Sequence, residues 1–305
     1  MGGYHVGVDA GGTRAVAVVV DEDGRELARG RAAGAVATVT SVTPAVDAVA
    51  AAVREALMAA DVEAPVGKLW VGLAGAGREH VRAAAEADLA ALGLADRVRV
   101  GTDVEAAFES AFGEGPGILL IAGTGSIALC RSPTGETFRT GGWGARLGDE
   151  GGGYWIGMHA LGAVARAEDG RAQDTALRDA LTRRLGLSAR AELIDLVDRA
   201  TKAEVAELAP TVLEIAASGD PVAASIATDA AAALRTHVVA LLERLERAGL
   251  EWDTMELALW GGLIEADGPL RPTLDRLLAP LGFAVHTAPI DPPLGAARLA
   301  SRLAG

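Results

Sequence analysis

Cysteine occurs once in the 305 residues, at Cys130. A single thiol excludes an internal disulfide and any zinc or iron–sulfur site built on several cysteines. Cationic residues are in deficit, with 28 Lys and Arg against 41 Asp and Glu and a net charge of −13. They form no basic stripe, so a nucleic-acid partner, which demands clustered cations, is not expected. No uninterrupted apolar run reaches the roughly 18 residues of a membrane-spanning helix. No leader precedes the first strand-like run. These absences predict a chain of the reducing cytoplasm that works on neither nucleic acid nor membrane. Its length is enough for two domains with separate cores.

Aromatic residues make up only 4% of the chain. Tyr154 and Trp155 therefore stand out where they follow two acids and three glycines, in LGDEGGGYWIG (147–157). Glycine itself is abundant, with 39 residues, and its positions punctuate the pattern. Residues 4–12 (YHVGVDAGG) read as a strand running into a tight turn, 15–24 as a second strand closed by Asp-Gly, and 25–34 as a third. Three strands joined by short turns make an antiparallel meander. The spacing predicts a helix over 43–60, with Thr43 as its cap, Pro44 at the first position, and Val46, Val49, Val53 and Leu57 on one face. A strand (68–77), a helix (78–92), a strand ending at Asp103 (96–103) and a helix (104–112) follow.

The pattern then restarts. Residues 117–126 read as a strand entering Gly-Thr-Gly-Ser, 127–135 as a second strand and 136–144 as a third, an internal repeat of one supersecondary unit. The following stretch is mostly helical to about 248. Its strongest helix carries Leu234, Val238, Leu241, Leu242 and Leu245 on one face and stops at Gly249. A strand (255–263), a helix (269–279), a strand (283–288) and a last helix from Leu294 close the chain.

Four strand ends carry glycines: 9–13, 72–77, 122–126 and 259–262. Glycine lets backbone N–H groups approach a phosphate, and Thr or Ser adds a hydroxyl donor. The P-loop pattern and a helix-opening G-x-G-x-x-G are both absent. A single turn of this kind is an ordinary connection, whereas two matching hairpins point to a phosphate held by both. Asp9 ends a buried strand, where a carboxylate needs a partner: Mg²⁺, directly or through water, or its own turn backbone. Asp103 is in the same situation, but there the ordinary helix N-cap is the stronger reading, and Glu105 and Glu109 read as solvated helix positions. Asp149 and Glu150 suit the positive end of the next helix. No two histidines share metal-ligand spacing. Cys130 and Trp260 read as core, while Trp143, in GGWG, suits either burial or stacking on a sugar.

Taken in order, GVDAGGT (7–13), GLAGAGR (72–78), GTDVEAAF (101–108), LIAGTGS (120–126), GGWGARLGDEGGGYWIG (141–157) and LALWGGLI (257–264) resemble the motifs of the N-acetylglucosamine kinase family. That family belongs to the superfamily of sugar kinases, actin and the heat-shock ATPases. The resemblance implies an α/β fold of two actin-like (ribonuclease H-like) domains, mixed sheets flanked by helices, with ATP in a cleft between them. Residues 1–115, completed by 289–305, would form one domain and 116–288 the other. It further implies Asp9 at the Mg²⁺–phosphate position, and phosphate contacts from Gly11, Gly12 and Thr13 and from Gly123, Thr124 and Gly125. Gly261 and Gly262 fall on the nucleotide-side turn, Asp103 on the general base, and Gly142, Trp143, Asp149 and Ser126 on sugar-binding positions.

The implied reaction is ATP-dependent phosphorylation of an amino sugar, N-acetylglucosamine at O6 in the first instance, by a homodimer. Glucosamine, N-acetylmannosamine and a muramic acid derivative are the alternatives. Two positions depart from the family's animal members: RAAGAVATVT (31–40) lacks a sugar-contacting Asn, and Ile127 stands where another Asn is found. A non-kinase alternative is an ATPase activator of the benzoyl-CoA reductase type, against which the single cysteine argues. A sugar sensor without catalysis is another, and the presence of Asp9 and Asp103 argues against it.

Overall fold

Runs of small and β-branched residues form the first strands: His5–Ala10 (β1), Arg14–Val20 (β2) and Glu26–Ala33 (β3). Val6, Val8, Ala17, Val18 and Val19 are fully buried, so β2 is covered on both faces, and Gly7 of β1 is buried against Pro293 and Ala297 on the face opposite Val6 and Val8. The computed structural model describes residues 3–186, 190–250, 252 and 254–304. Next in order come Thr43–Ala60 (α1), Val66–Leu73 (β4), Glu79–Ala91 (α2), Ala95–Gly101 (β5) and Asp103–Phe112 (α3). Gly117–Ala122 (β6), Ser126–Arg131 (β7) and Thr137–Gly141 (β8) repeat the opening meander. A helical series follows: Gly153–Glu168 (α4), Leu177–Leu185 (α5), Arg190–Arg199 (α6), Lys202–Ala206 (α7), Ala209–Ala217 (α8) and Pro221–Arg247 (α9). Residues 187–189, within the stretch expected to be helical, lie outside the described residues. Glu256–Trp260 (β9), Arg271–Leu278 (α10), Ala284–Val285 (β10) and Pro292–Ser301 (α11) complete the chain.

The chain forms two compact units, Met1–Glu114 with Ala288–Gly305, and Gly115–Thr287. Each holds one five-stranded mixed sheet, in the order β3-β2-β1-β4-β5 and β10-β9-β6-β7-β8. Read from the meander outwards the two orders coincide. The internal repeat is thus a repeat of topology: three antiparallel strands, then a parallel neighbour on the other side of the first. The copies differ at the far edge, where β5 has seven residues and β10 two. The strand expected over 283–288 is cut to Ala284–Val285, paired with Glu256 and Leu257, and the last bond to β9 is His286 N–H donating to Leu257 O at 2.9 Å.

Helices cover the sheets with the faces that the sequence period predicts. In α1, Val46, Val49, Val53 and Leu57 are all buried. Its N-cap is Val42 and not Thr43, and no side chain caps it; Pro44 removes one of the N–H groups a cap would satisfy. In α9, Leu234, Val238, Leu241 and Leu245 are buried, and Gly249 follows the helix in the left-handed conformation. Among the described residues α9 alone is long and apolar enough in composition to cross a membrane, a match that counting uninterrupted apolar residues does not register. Its apolar face is occupied in the core of the second unit.

One helix position reverses its sequence reading. Glu109 is 1% exposed, and Arg302 Nη2 lies 2.8 Å from its Oε1. The expectation of a solvated Glu109 fails because α11 packs along α3 and buries that face; Asp291 N–H also donates to Ser110 Oγ at 2.7 Å. Removing the cation would strand a buried carboxylate, at a cost reduced by the partial exposure of Arg302. Arg302→Ala should therefore destabilise the first unit by about 1–3 kcal/mol in denaturant unfolding, with Glu109→Gln/Arg302→Ala recovering part of the loss.

Candidate functional site

In the first unit the predicted residues converge on the carboxyl ends of β1 and β4. Asp9 pairs with Val16 on one side and Gly72 on the other. A Cβ added at Gly72 would lie 3.3 Å from Asp103 Cα and 3.3 Å from Thr102 O. Glycine at position 72 is therefore what lets the start of α3 come against the strand end that carries Asp9. Asp103 is the first residue of that helix and not its cap. Thr102 caps it, accepting from Glu105 N–H at 3.2 Å, while Glu105 accepts from Thr102 N–H at 2.6 Å. Asp103 is thus released from the capping role that its sequence position suggested. Its Oδ1 accepts from Val104 N–H at 3.1 Å.

Asp9 is half-buried, and its carboxyl is pushed up to about 7. Burial is the main cause, the Asp103 charge the next, and Asp291 adds to it, while Arg14 opposes. Asp291 is itself held by Arg29, whose Nη2 and Nη1 donate to its two oxygens at 2.5 and 3.2 Å. The Asp103 charge makes ionised Asp9 more costly, and a divalent ion at Asp9 would relieve that cost. Among the described residues no group of three or more His, Cys, Asp or Glu is arranged to hold a metal alone. The donor set therefore fits Mg²⁺ of the type that keeps waters and leans on one or two carboxylates and substrate phosphates.

The glycine turn follows directly. Gly11 N–H donates to Arg14 O at 2.9 Å, and Gly34 N–H to Thr13 O at 3.1 Å, leaving Gly12 and Thr13 exposed. Val36, at the position expected for a sugar-contacting Asn, is 48% exposed beside Gly12 and Gly75.

In the second unit the turns after β6 and β9 come together, because these strands are parallel neighbours with Ile121 opposite Trp260. Leu263 N–H donates to Ala122 O at 3.3 Å, and Gly261, in the left-handed region at φ 103°, packs on the backbone of Ala122. Gly123, Thr124, Gly125, Gly261 and Gly262 thus form one cluster. Trp260 is half-buried and not wholly core.

The β6–β7 turn also receives α4. Gly153 N–H donates to Gly123 O at 2.8 Å and Tyr154 N–H to Thr124 O at 3.0 Å. The first amides of this helix are therefore spent on the turn and not offered to an anion. A Cβ at Gly152 would lie 2.7 Å from Gly125 Cα, so only glycine permits this approach. Tyr154 and Trp155 pack against the hydrophobic core; their clustering beside the acids reflects where α4 begins.

Asp149 lies within this interlock, 4% exposed and with φ 63°, a left-handed conformation that Asp tolerates better than most residues. Lys202 Nζ donates to its Oδ2 at 2.5 Å, and Ser126 N–H approaches Oδ1 at 3.4 Å. Its partner is thus a lysine from α7 and not the end of α4. Nothing in the local sequence marks that pairing across 53 positions. Ser126 is buried, and its hydroxyl donates to Glu150 O at 2.7 Å. With that proton committed, His237 donates from Nε2 to Ser126 Oγ at 3.2 Å. Burial holds the His237 pKa below its usual value, consistent with a neutral ring. Ser126 thus holds the Asp149–Glu150 turn in place. Gly142, at φ 67°, is exposed beside the Ile127 side chain, and Trp143 is 66% exposed with the Arg139 guanidinium 5.7 Å from its ring centre.

The chain is similar in sequence to known sugar kinases, in one case along nearly its whole length. An N-acetyl-D-glucosamine kinase of Dictyostelium discoideum is 31% identical over 312 residues, covering 97% of each chain. An N-acetylmuramic acid/N-acetylglucosamine kinase of Clostridium acetobutylicum is 35% identical over 179 residues, 58% of each chain. Among solved structures, a candidate N-acetylglucosamine kinase of Chromobacterium violaceum superposes with a TM-score of 0.80 at 27% identity, covering 98% of this chain and 99% of that one. A ROK family glucokinase from Streptomyces griseus shares the fold at a TM-score of 0.55 and 17% identity. The family model described as the BadF/BadG/BcrA/BcrD ATPase family matches residues 6–300, and the chain belongs to that family.

Proposed function

We propose that the chain is an ATP-dependent amino sugar kinase, with N-acetylglucosamine as the acceptor and its O6 hydroxyl as the site of transfer. The observation that carries this reading is the placement of Asp9 and Asp103 on either side of Gly72 in a chain of an ATPase family. The full-length relatedness to an N-acetyl-D-glucosamine kinase supports the acceptor class.

Phosphoryl transfer asks for positioning and charge neutralisation more than for covalent help. Asp103 accepts the proton of the attacking sugar hydroxyl as the new P–O bond forms and the bond from the γ-phosphorus to the β,γ-bridging oxygen breaks, with ADP as the leaving group. In its ionised form Asp9 would hold Mg²⁺, which would supply neutralisation of phosphate charge when bound. Backbone N–H groups and hydroxyls of Gly11, Gly12 and Thr13, and of Gly123, Thr124 and Gly125, contact the phosphates, and Gly261 and Gly262 leave room for the nucleoside. Asp149 accepts hydrogen bonds from sugar hydroxyls, Trp143 offers its face to the ring, and Gly142 admits the sugar to the backbone. Ser126 contributes by fixing the turn that presents Asp149.

Two further features bear on the alternatives. Cys130 is fully buried in β7, so no exposed thiol is on hand for the iron–sulfur cluster that an activator would share with a partner. The net charge of −13 fits a small-molecule acceptor and not a nucleic acid or an anionic membrane surface. The reading also carries a cytoplasmic location, where ATP is made, and a homodimer, the commonest closed symmetry.

Asp103→Asn should keep ATP and sugar binding by calorimetry while turnover falls by about 10²–10⁴. Wild-type turnover in that variant removes Asp103 from its role. In a panel of N-acetylglucosamine, glucosamine, N-acetylmannosamine and N-acetylmuramic acid, phosphate coupling to the C6 methylene protons in the NMR spectrum of the product identifies the acceptor and the position. A carboxyl raised in the folded state binds more protons there than in the unfolded chain. Its contribution to stability is therefore lost as pH rises from about 4 to about 7, and the ionised form remains penalised above that. Asp9→Asn should accordingly raise the melting temperature of the metal-free protein more at pH 8 than at pH 5, while weakening Mg²⁺–ATP binding. An equal increment at both pH values overturns the account of Asp9.

A further inference from the structure

Lys202 is the second residue of a capping box. Thr201 caps α7, accepting from Glu204 N–H at 3.2 Å, and Glu204 accepts from Thr201 N–H at 2.7 Å. Lys202 therefore stands at the first position of α7, where a cation meets the positive end of the helix dipole. Helix stability argues against a lysine here. The short helix is nevertheless fixed: Val205 is 2% exposed, its carbonyl packs against Gly157 of α4, and Ala206 Cβ would lie 3.2 Å from a Cβ at Gly153. This docking aims the ammonium at one target, Asp149 Oδ2, at 2.5 Å. The carboxylate is interior, with its side chain 5% exposed, and the ammonium is at the rim, with its side chain 41% exposed.

The pair has a consequence for the ligand. A buried carboxylate without a partner would draw an ammonium group, and glucosamine carries one at C2. Neutralised by Lys202, the same carboxylate still accepts hydroxyl hydrogen bonds but gives no premium to a cation, and the lysine adds a like charge against one. Resting on the reading that Asp149 binds the sugar, we infer that Lys202 is a specificity-determining residue that selects neutral, N-acylated amino sugars against free-amine ones.

The test compares dissociation constants for N-acetylglucosamine and glucosamine by calorimetry at pH 6.5, where an amine of α-amino type, with a pKa of about 7.7–8.0, is mostly protonated. Wild type should prefer N-acetylglucosamine. Lys202→Met should shift the ratio toward glucosamine by about tenfold, from loss of one partly screened charge near the ligand. Lys202→Gln, which keeps a donor but no charge, should shift it the same way, and Lys202→Arg should restore the wild-type ratio. An unchanged ratio in folded Lys202→Gln or Lys202→Met overturns the inference, since a purely structural role would weaken both sugars alike. Binding of neither sugar to wild type overturns the acceptor assignment and this inference with it, whereas binding with an unmoved ratio overturns this inference alone.

Discussion

The docking of α4 onto the β6–β7 turn is the constraint on which the second unit's site depends. Two amides of α4 donate to carbonyls of the Gly-Thr-Gly-Ser turn, and Gly152 lies against Gly125 with no side chain between them. That contact puts the Asp149–Glu150 turn under cover. A buried carboxylate is costly unless it is paired and hydrogen-bonded. The structure meets the cost with Lys202, and with the Ser126–His237 link that holds the neighbouring carbonyl. Each partner comes from a different element, so the turn's geometry is a property of β7, α4, α7 and α9 together.

The first unit solves a related problem differently. Asp9 and Asp103 approach through Gly72, and among the described residues no lysine is paired with Asp9 as Lys202 is with Asp149. Asp291 is neutralised by Arg29, and Glu109 by Arg302. The acid left with a raised pKa is the one assigned to a cation from outside the chain. Charges that support the fold are thus satisfied internally, and Asp9 carries a raised pKa at the position where, on the proposed reading, a metal-bound nucleotide would sit. That contrast is the electrostatic form of pre-organisation, in which the site is built before the ligand arrives.

Much of this was legible in the linear chain. The two meanders could be read from glycine and Asp-Gly punctuation, and the helical faces of α1 and α9 from their apolar period. The strand-end position of Asp9 followed from the apolar run before it. Local signals sufficed there because turns and amphipathic faces are set by residues a few positions apart. They failed for Glu109, which looks solvated until α11 arrives from the far end of the chain. They failed also for Asp103, where Thr102 competes successfully for the cap, and for Ser126, whose hydroxyl turns inward.

The sequence by itself determined the repeated meander, the glycine-marked strand ends and the identity of the acids that lie there, since backbone freedom and apolar periodicity are carried by neighbouring residues. Tertiary structure alone decided which charges meet. Lys202 on Asp149, Arg29 on Asp291 and Arg302 on Glu109 join elements that are distant in the chain. Coulomb attraction depends on separation in space, and only the packing of helices on the two sheets sets that separation.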